Sequence, residues 1–242
     1  VDDICSHDSG PLAEGEVVEL YYRLGVGSRH RGDDARARES FQKALAIEPG
    51  HKKTLAAMME FAQAQGDVSA IIDAKRALLE GAGADERFKL YTEIGDLYAE
   101  KQEDPVSALS AYLEALKIRP SSHQLLHKVL ELYVEQKAWK HAVDTLGKLG
   151  EQEHDAARRA KYNYTAGVIC RDELKAIDDA VERFHATLDD TPEDERSFDA
   201  IRELQTAKQD WKALAKSYRK QLKRLPAQTK PEAKLRYWTA LA

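Results

Sequence analysis

Apolar residues return along this chain at spacings of three and four, with charged residues between them, and the whole pattern then recurs. One set runs Tyr21, Leu24, Gly25 and Ser28; a second runs Tyr91, Ile94, Gly95 and Tyr98; a third runs Asn163, Ala166, Gly167 and Cys170. Spacing of this kind gathers side chains on one face of a helix. A later signal in each unit is a small or apolar site followed four residues on by a large one. The first sites are Ala37, Ile71, Ala108, Ala142, Ala180 and Leu214, and the second are Phe41, Lys75, Tyr112, Leu146, Phe184 and Tyr218. Consecutive units are offset by 34, 37, 34, 38 and 34 residues. A period in that range marks stacked supersecondary units, here pairs of helices.

The pattern predicts an all-α fold, a right-handed α-solenoid of antiparallel helix pairs. Its six units cover about 18–51, 52–85, 88–122, 123–156, 160–194 and 195–228. Residues 1–17 read as a partly ordered N-terminal extension, and 229–242 as the start of a seventh unit opened by Trp238 and Leu241. Turn residues fall between the helices of a unit, as in "RHRGDD" and "QAQGDV". The glycine in the first helix costs roughly 1 kcal/mol of helix propensity relative to Ala. Its return at Gly25, Gly95 and Gly167 predicts a close approach by a neighbouring helix.

The units alternate. Steps of 11 residues lead from Ala44 to Leu55, Ala115 to Leu126 and Thr187 to Phe198, whereas Leu78 to Tyr91, Leu149 to Asn163 and Gln221 to Trp238 take 13, 14 and 17. The array is therefore expected to be built of doublets, with the extra residues lengthening the first helices of odd units. The even units, with Met58 and Met59, or Arg202, around the glycine site, are expected to pack less closely or at a changed angle.

These residues resemble the tetratricopeptide repeat: Tyr21, Leu24, Gly25, Ala37, Phe41, Ala44 and Pro49 in one unit, and Tyr91, Ile94, Gly95, Tyr98, Ala108, Tyr112, Ala115 and Pro120 in another. The resemblance implies a non-enzymatic interaction scaffold that binds a peptide, a helix or a folded protein and belongs to a longer repeat array. An alternative is the substrate-recruiting arm of an enzyme whose catalytic domain lies outside this chain. The family's chaperone-tail clamp does not fit, because its first-repeat sites here are Tyr22 and Val26.

Stacked helix pairs leave a concave surface lined by first helices. Helical phase places Lys53, Lys89, Lys161 and Arg196 in one row of that surface, and Glu60, Asp96, Glu131 and Glu203 in another. Tyr22, His127 and Tyr164 lie between the rows. Tyrosine offers contact area with a polar tip, so Tyr22 and Tyr164 are candidate anchors. The same charges also read as an ordinary solvated face, since exposed ion pairs contribute only about 0–1 kcal/mol.

Charge and composition narrow the partners. A formal charge of -5, with basic residues spread along 242 positions, argues against nucleic acid. No apolar run is long enough for a membrane span. The two cysteines, Cys5 and Cys170, show no metal or redox spacing. His123 and His127 are four apart but lack a third ligand, and read as a solvent-facing pair. The acid pairs Asp33 and Asp34, Asp178 and Asp179, and Asp189 and Asp190 read as turn and cap residues. No cofactor, metal or catalytic residue is expected. The sequence leaves the compartment open, with the cytoplasm slightly favoured, and an incomplete last repeat leaves end-to-end self-association of the truncated array open.

Overall fold

The computed structural model describes residues 13–226 and 231–239. Among these residues it is an all-α repeat fold. Cys5, Leu241 and most of the expected N-terminal extension lie outside them. The chain divides into two units, Val1–Pro120 and Ser121–Ala242. In the first, α1 (Glu14–His30) pairs with α2 (Asp34–Ile47), α3 (Lys52–Gln65) with α4 (Val68–Leu78), and α5 (Ala84–Glu100) with α6 (Pro105–Ile118). In the second, α7 (His123–Glu135) pairs with α8 (Trp139–Gln152), α9 (Ala156–Asp172) with α10 (Ile177–Asp190), and α11 (Glu195–Ala207) with α12 (Trp211–Arg224). A short α13 (Pro231–Thr239) follows α12.

Each turn within a pair is made by one residue in the left-handed region: Gly32, Gly66, Glu103, Lys137, Lys175 and Gln209. All six stand five residues before the small or apolar site of the second helix, so one turn geometry sets the register of every pair. In four of the six the following second helix is capped by an aspartate. Asp33, Asp67, Asp104 and Asp210 accept from backbone N–H groups of the first turn, as Asp33 does from Arg36 at 3.1 Å. Such caps satisfy donors that the helix itself leaves open.

The first helices alternate in length as the step pattern predicts: α1, α5 and α9 have 17 residues each, while α3, α7 and α11 have 14, 13 and 13. The added length is one N-terminal turn. Tyr21, Tyr91 and Asn163 are each the eighth residue of their helix, whereas Leu55, Leu126 and Phe198 are each the fourth.

The recurring glycines admit a ring rather than a helix backbone. Phe41 lies on Gly25, Tyr112 on Gly95 and Phe184 on Gly167; a Cβ at Gly167 would stand 2.8 Å from Phe184 Cε1, and the other two would be closer still. All three rings are buried. Pairs without this glycine solve the problem differently and share a less extensive face. Tyr218 packs edge-on to Phe198 at 5.0 Å, and Lys75, where an aromatic stands in other units, reaches Glu93 of α5 as an ion pair.

Candidate protein-interaction surface

Tyr22 and Tyr164 are fixed in the same way, one in each unit. Each is half-buried on its first helix against the core ring of the paired helix, Tyr22 at 6.4 Å from Phe41 and Tyr164 at 5.7 Å from Phe184. Each also carries a cation from the next first helix. Lys53 Nζ lies 6.0 Å from the Tyr22 ring and Arg196 Cζ 5.0 Å from the Tyr164 ring. A cation over an aromatic face contributes about 0.5–1 kcal/mol when exposed. Lys53 and Arg196 remain 63% and 76% exposed as side chains, so both are open to a further contact.

The two rows of charge are partly self-neutralised. Lys53 bridges to Glu19 at 3.2 Å, and Arg29 to Glu60 at 2.9 Å, both between α1 and α3. The hydrogen bonds from Arg23 and Lys53 hold the Glu19 carboxyl below its ordinary value. Lys89 lies 3.8 Å from Glu93 on its own helix, and Arg196 3.1 Å from Asp194. Lys161, Glu131 and Glu203 are exposed. Asp96 is drawn inward by its partner helix, accepting from the Tyr112 hydroxyl at 2.7 Å.

His127 is half-buried rather than solvent-facing. Its Nε2 lies 3.1 Å from the Tyr162 hydroxyl on α9, and its ring is 6.1 Å from that of His123. One ring nitrogen is thus engaged by a neighbouring helix, and no group of three potential metal ligands occurs among the described residues. The acid pairs also divide. Asp33 caps α2, Asp178 meets Lys208 at 2.6 Å, and Asp189 and Asp190 stand at the end of α10, where they take Arg224 and Arg159 as partners.

A cluster that sequence periodicity does not reveal lies between α10 and α12. His185 Nε2 is 3.1 Å from Ser217 Oγ, and Arg224 reaches both His185 Nδ1 at 3.0 Å and its carbonyl oxygen at 2.8 Å. Burial, then the Arg224 and Lys220 charges, push the imidazole from 6.5 down to about 4. With Nδ1 accepting from Arg224, the proton sits on Nε2 and points at Ser217, which is the wrong way round for activating that hydroxyl. The cluster joins two helices. Cys170 is likewise a packing residue, 1% exposed, its thiol pushed up by burial. Among the described residues no helix is long and apolar enough to cross a membrane.

The family model of the tetratricopeptide repeat matches residues 18–51. No curated protein matches the sequence. Similar solved structures include YrrB, described as a TPR protein with an unusual peptide-binding site, at 16% identity over 78% of this chain and 97% of that one, TM-score 0.40. The 41-end segment of MamA from Desulfovibrio magneticus RS-1 is 17% identical over 74% and 97%, TM-score 0.38. Pseudomonas aeruginosa pilF is 18% identical over 95% and 99%, TM-score 0.35.

Proposed function

Residues 18–51 match the family model of the tetratricopeptide repeat, and we propose that the chain is a non-enzymatic repeat scaffold whose first helices bind a peptide, a helix or a folded protein. The observation that carries the reading is the repeated tyrosine with a cation above it, Tyr22 with Lys53 and Tyr164 with Arg196. In both places a rigid half-buried ring is seated on a core aromatic, its outward contact is an exposed cation, and conformational entropy has already been lost. Pre-ordered aromatic and basic side chains are the commonest hot spots of protein interfaces. Lys89, Lys161, Glu131 and Glu203 extend the same helices with exposed charge of both signs, and Glu60, Asp96 and His127 add groups whose present partners are replaceable. A partner segment with charges of both signs complements this arrangement.

The test is photo-crosslinking in extracts of cells that express the chain. A crosslinking residue at Lys89 or Glu131 is expected to trap partner proteins, and one at the exposed Glu39 on α2 to trap far less. Reversing the anchor cations with Lys53→Glu and Arg196→Glu should abolish the first-helix crosslinks while lowering stability by no more than about 1–2 kcal/mol, the loss of two exposed cation–ring contacts and surface ion pairs. Equal crosslinking from both positions, insensitive to the reversals, would contradict the reading.

A further inference from the structure

One interval between helix pairs is open where its counterpart is filled. In the first unit, α4 presents Arg76 and Leu79, α5 presents Tyr91 and Tyr98, and α6 presents Ala111. The shared turn register assigns the counterparts in the second unit, offset by 71 residues on α8 and 72 on α9 and α10: Gly147, Gly150, Asn163, Cys170 and Arg183. Four large side chains have become small and one small side chain has become arginine. Arg76 stacks over Tyr98 at 5.7 Å, and Leu79 packs with the buried cluster of Ile72 and Ile94. Of their counterparts, Gly147, Gly150, Asn163 and Arg183 line a cleft of about 580 Å3 between α8, α9 and α10, whereas Cys170 is buried in the core.

The cleft is polar and its cation is uncommitted. The Arg183 guanidinium lies over α8, its terminal nitrogens 3.7 and 3.8 Å from where a Cβ on Gly147 would stand, so a larger residue there would crowd it. Among the described residues it makes no hydrogen bond or ion pair, although it is only partly exposed. Arg159, which shares the cleft, is held by Asp190 through Nε at 2.9 Å to both carboxylate oxygens. Asn163 offers an amide from α9, and Asp144, Lys148 and Glu151 form the α8 rim.

We infer that this cleft is a docking site for an acidic side chain, aspartate or glutamate, in a protein segment that carries a basic residue beside it. The planar fork of Arg183 matches a carboxylate, and the Asn163 amide adds a donor. Asp144 and Glu151 repel a free dianion but complement the flanking basic residue, and this selects a mixed-charge segment over phosphate. The site is built from α8, α9 and α10 and does not depend on the tyrosine anchors of the first helices.

A display library of random twelve-residue peptides, panned on the whole chain, tests this directly, with Arg183→Ala and Asn163→Tyr as counter-targets whose melting temperatures are verified first. The expected outcome is a class of peptides with Asp or Glu next to Lys or Arg, whose binding weakens about tenfold or more in both variants and is unchanged by Lys53→Glu. Peptides that bind Arg183→Ala as well as the parent chain, or a panning that yields no such class, would overturn the inference. So would inorganic phosphate displacing the peptides, which would make the cleft a simple anion site. Loss in Lys53→Glu alone would assign the peptides to the first-helix face and equally defeat the cleft.

Discussion

The helices α4, α5 and α6 and the helices α8, α9 and α10 are two executions of one plan. Both begin from the same left-handed turn, both add one N-terminal turn to the middle helix, and both seat a buried ring on a glycine, Tyr112 on Gly95 and Phe184 on Gly167. What differs is how the space beside that ring is used. The first packs Arg76 over Tyr98 and Leu79 against Ile72 and Ile94, whereas the second opens a cleft lined by Gly147, Gly150 and Asn163 and places Arg183 there. The comparison separates two kinds of residue within a repeat. Ring and glycine form the shared seat of these pairs; the neighbouring positions can be spent on packing or on an opening.

If ring and glycine are the common frame, their loss should hurt both regions alike. Tyr112→Ala and Phe184→Ala should each lower stability by about 3–5 kcal/mol in chemical denaturation, because each empties a fully buried ring site. A large difference between them would break the equivalence.

A second contrast is electrostatic. His185 occupies the position of Leu113, and burial and Arg224 hold it near 4, below its ordinary 6.5. The unfolded chain therefore takes up this proton first as pH falls. The stabilisation by neutral His185 is complete above about 6.5 and is lost progressively down to about 4, so stability should rise with pH across that window. The loss on acidification should be about 1–3 kcal/mol. His185→Gln should flatten the slope between those values, and an unchanged slope would remove His185 as its source.

Glycine to alanine should then have opposite signs at two sites. At Gly95 the new methyl meets the Tyr112 ring, and overpacking should cost about 1–3 kcal/mol. At Gly147 it meets nothing nearer than 3.7 Å, so the better helix former should gain up to about 1 kcal/mol. Thermal melts of the two variants decide this.

Much of the frame was legible in the sequence, because spacing reports helical phase. The six pairs, the alternating steps and a close approach at Gly25, Gly95 and Gly167 follow from positions alone; that a ring rather than a helix backbone makes the approach does not. The four left-handed turns at Glu103, Lys137, Lys175 and Gln209 carry no glycine, and only register against Gly32 and Gly66 discloses them. Phase also says which face a side chain leaves from, but not which neighbour it finds. Asp96 turned to Tyr112, Lys53 took Glu19, and His127 met Tyr162, so part of each expected row is engaged locally while Lys161, Glu131 and Glu203 stay exposed. The cleft did leave a trace in the sequence. Asn163 stands where the other anchors are Tyr21, Leu55, Tyr91, Leu126 and Phe198, a polar residue in an otherwise large and apolar series. Its meaning required the facing glycines of α8, which are distant in sequence.

The central claim is that Asn163 marks space held open rather than a packed contact, and the melting temperature of Asn163→Tyr tests it most directly. The new ring should enter the cleft and leave the melting temperature at or slightly above that of the parent chain, a change of no more than about 1 kcal/mol in stability. A clear fall, of the kind expected for overpacking a filled site and about 1–3 kcal/mol in size, would contradict it.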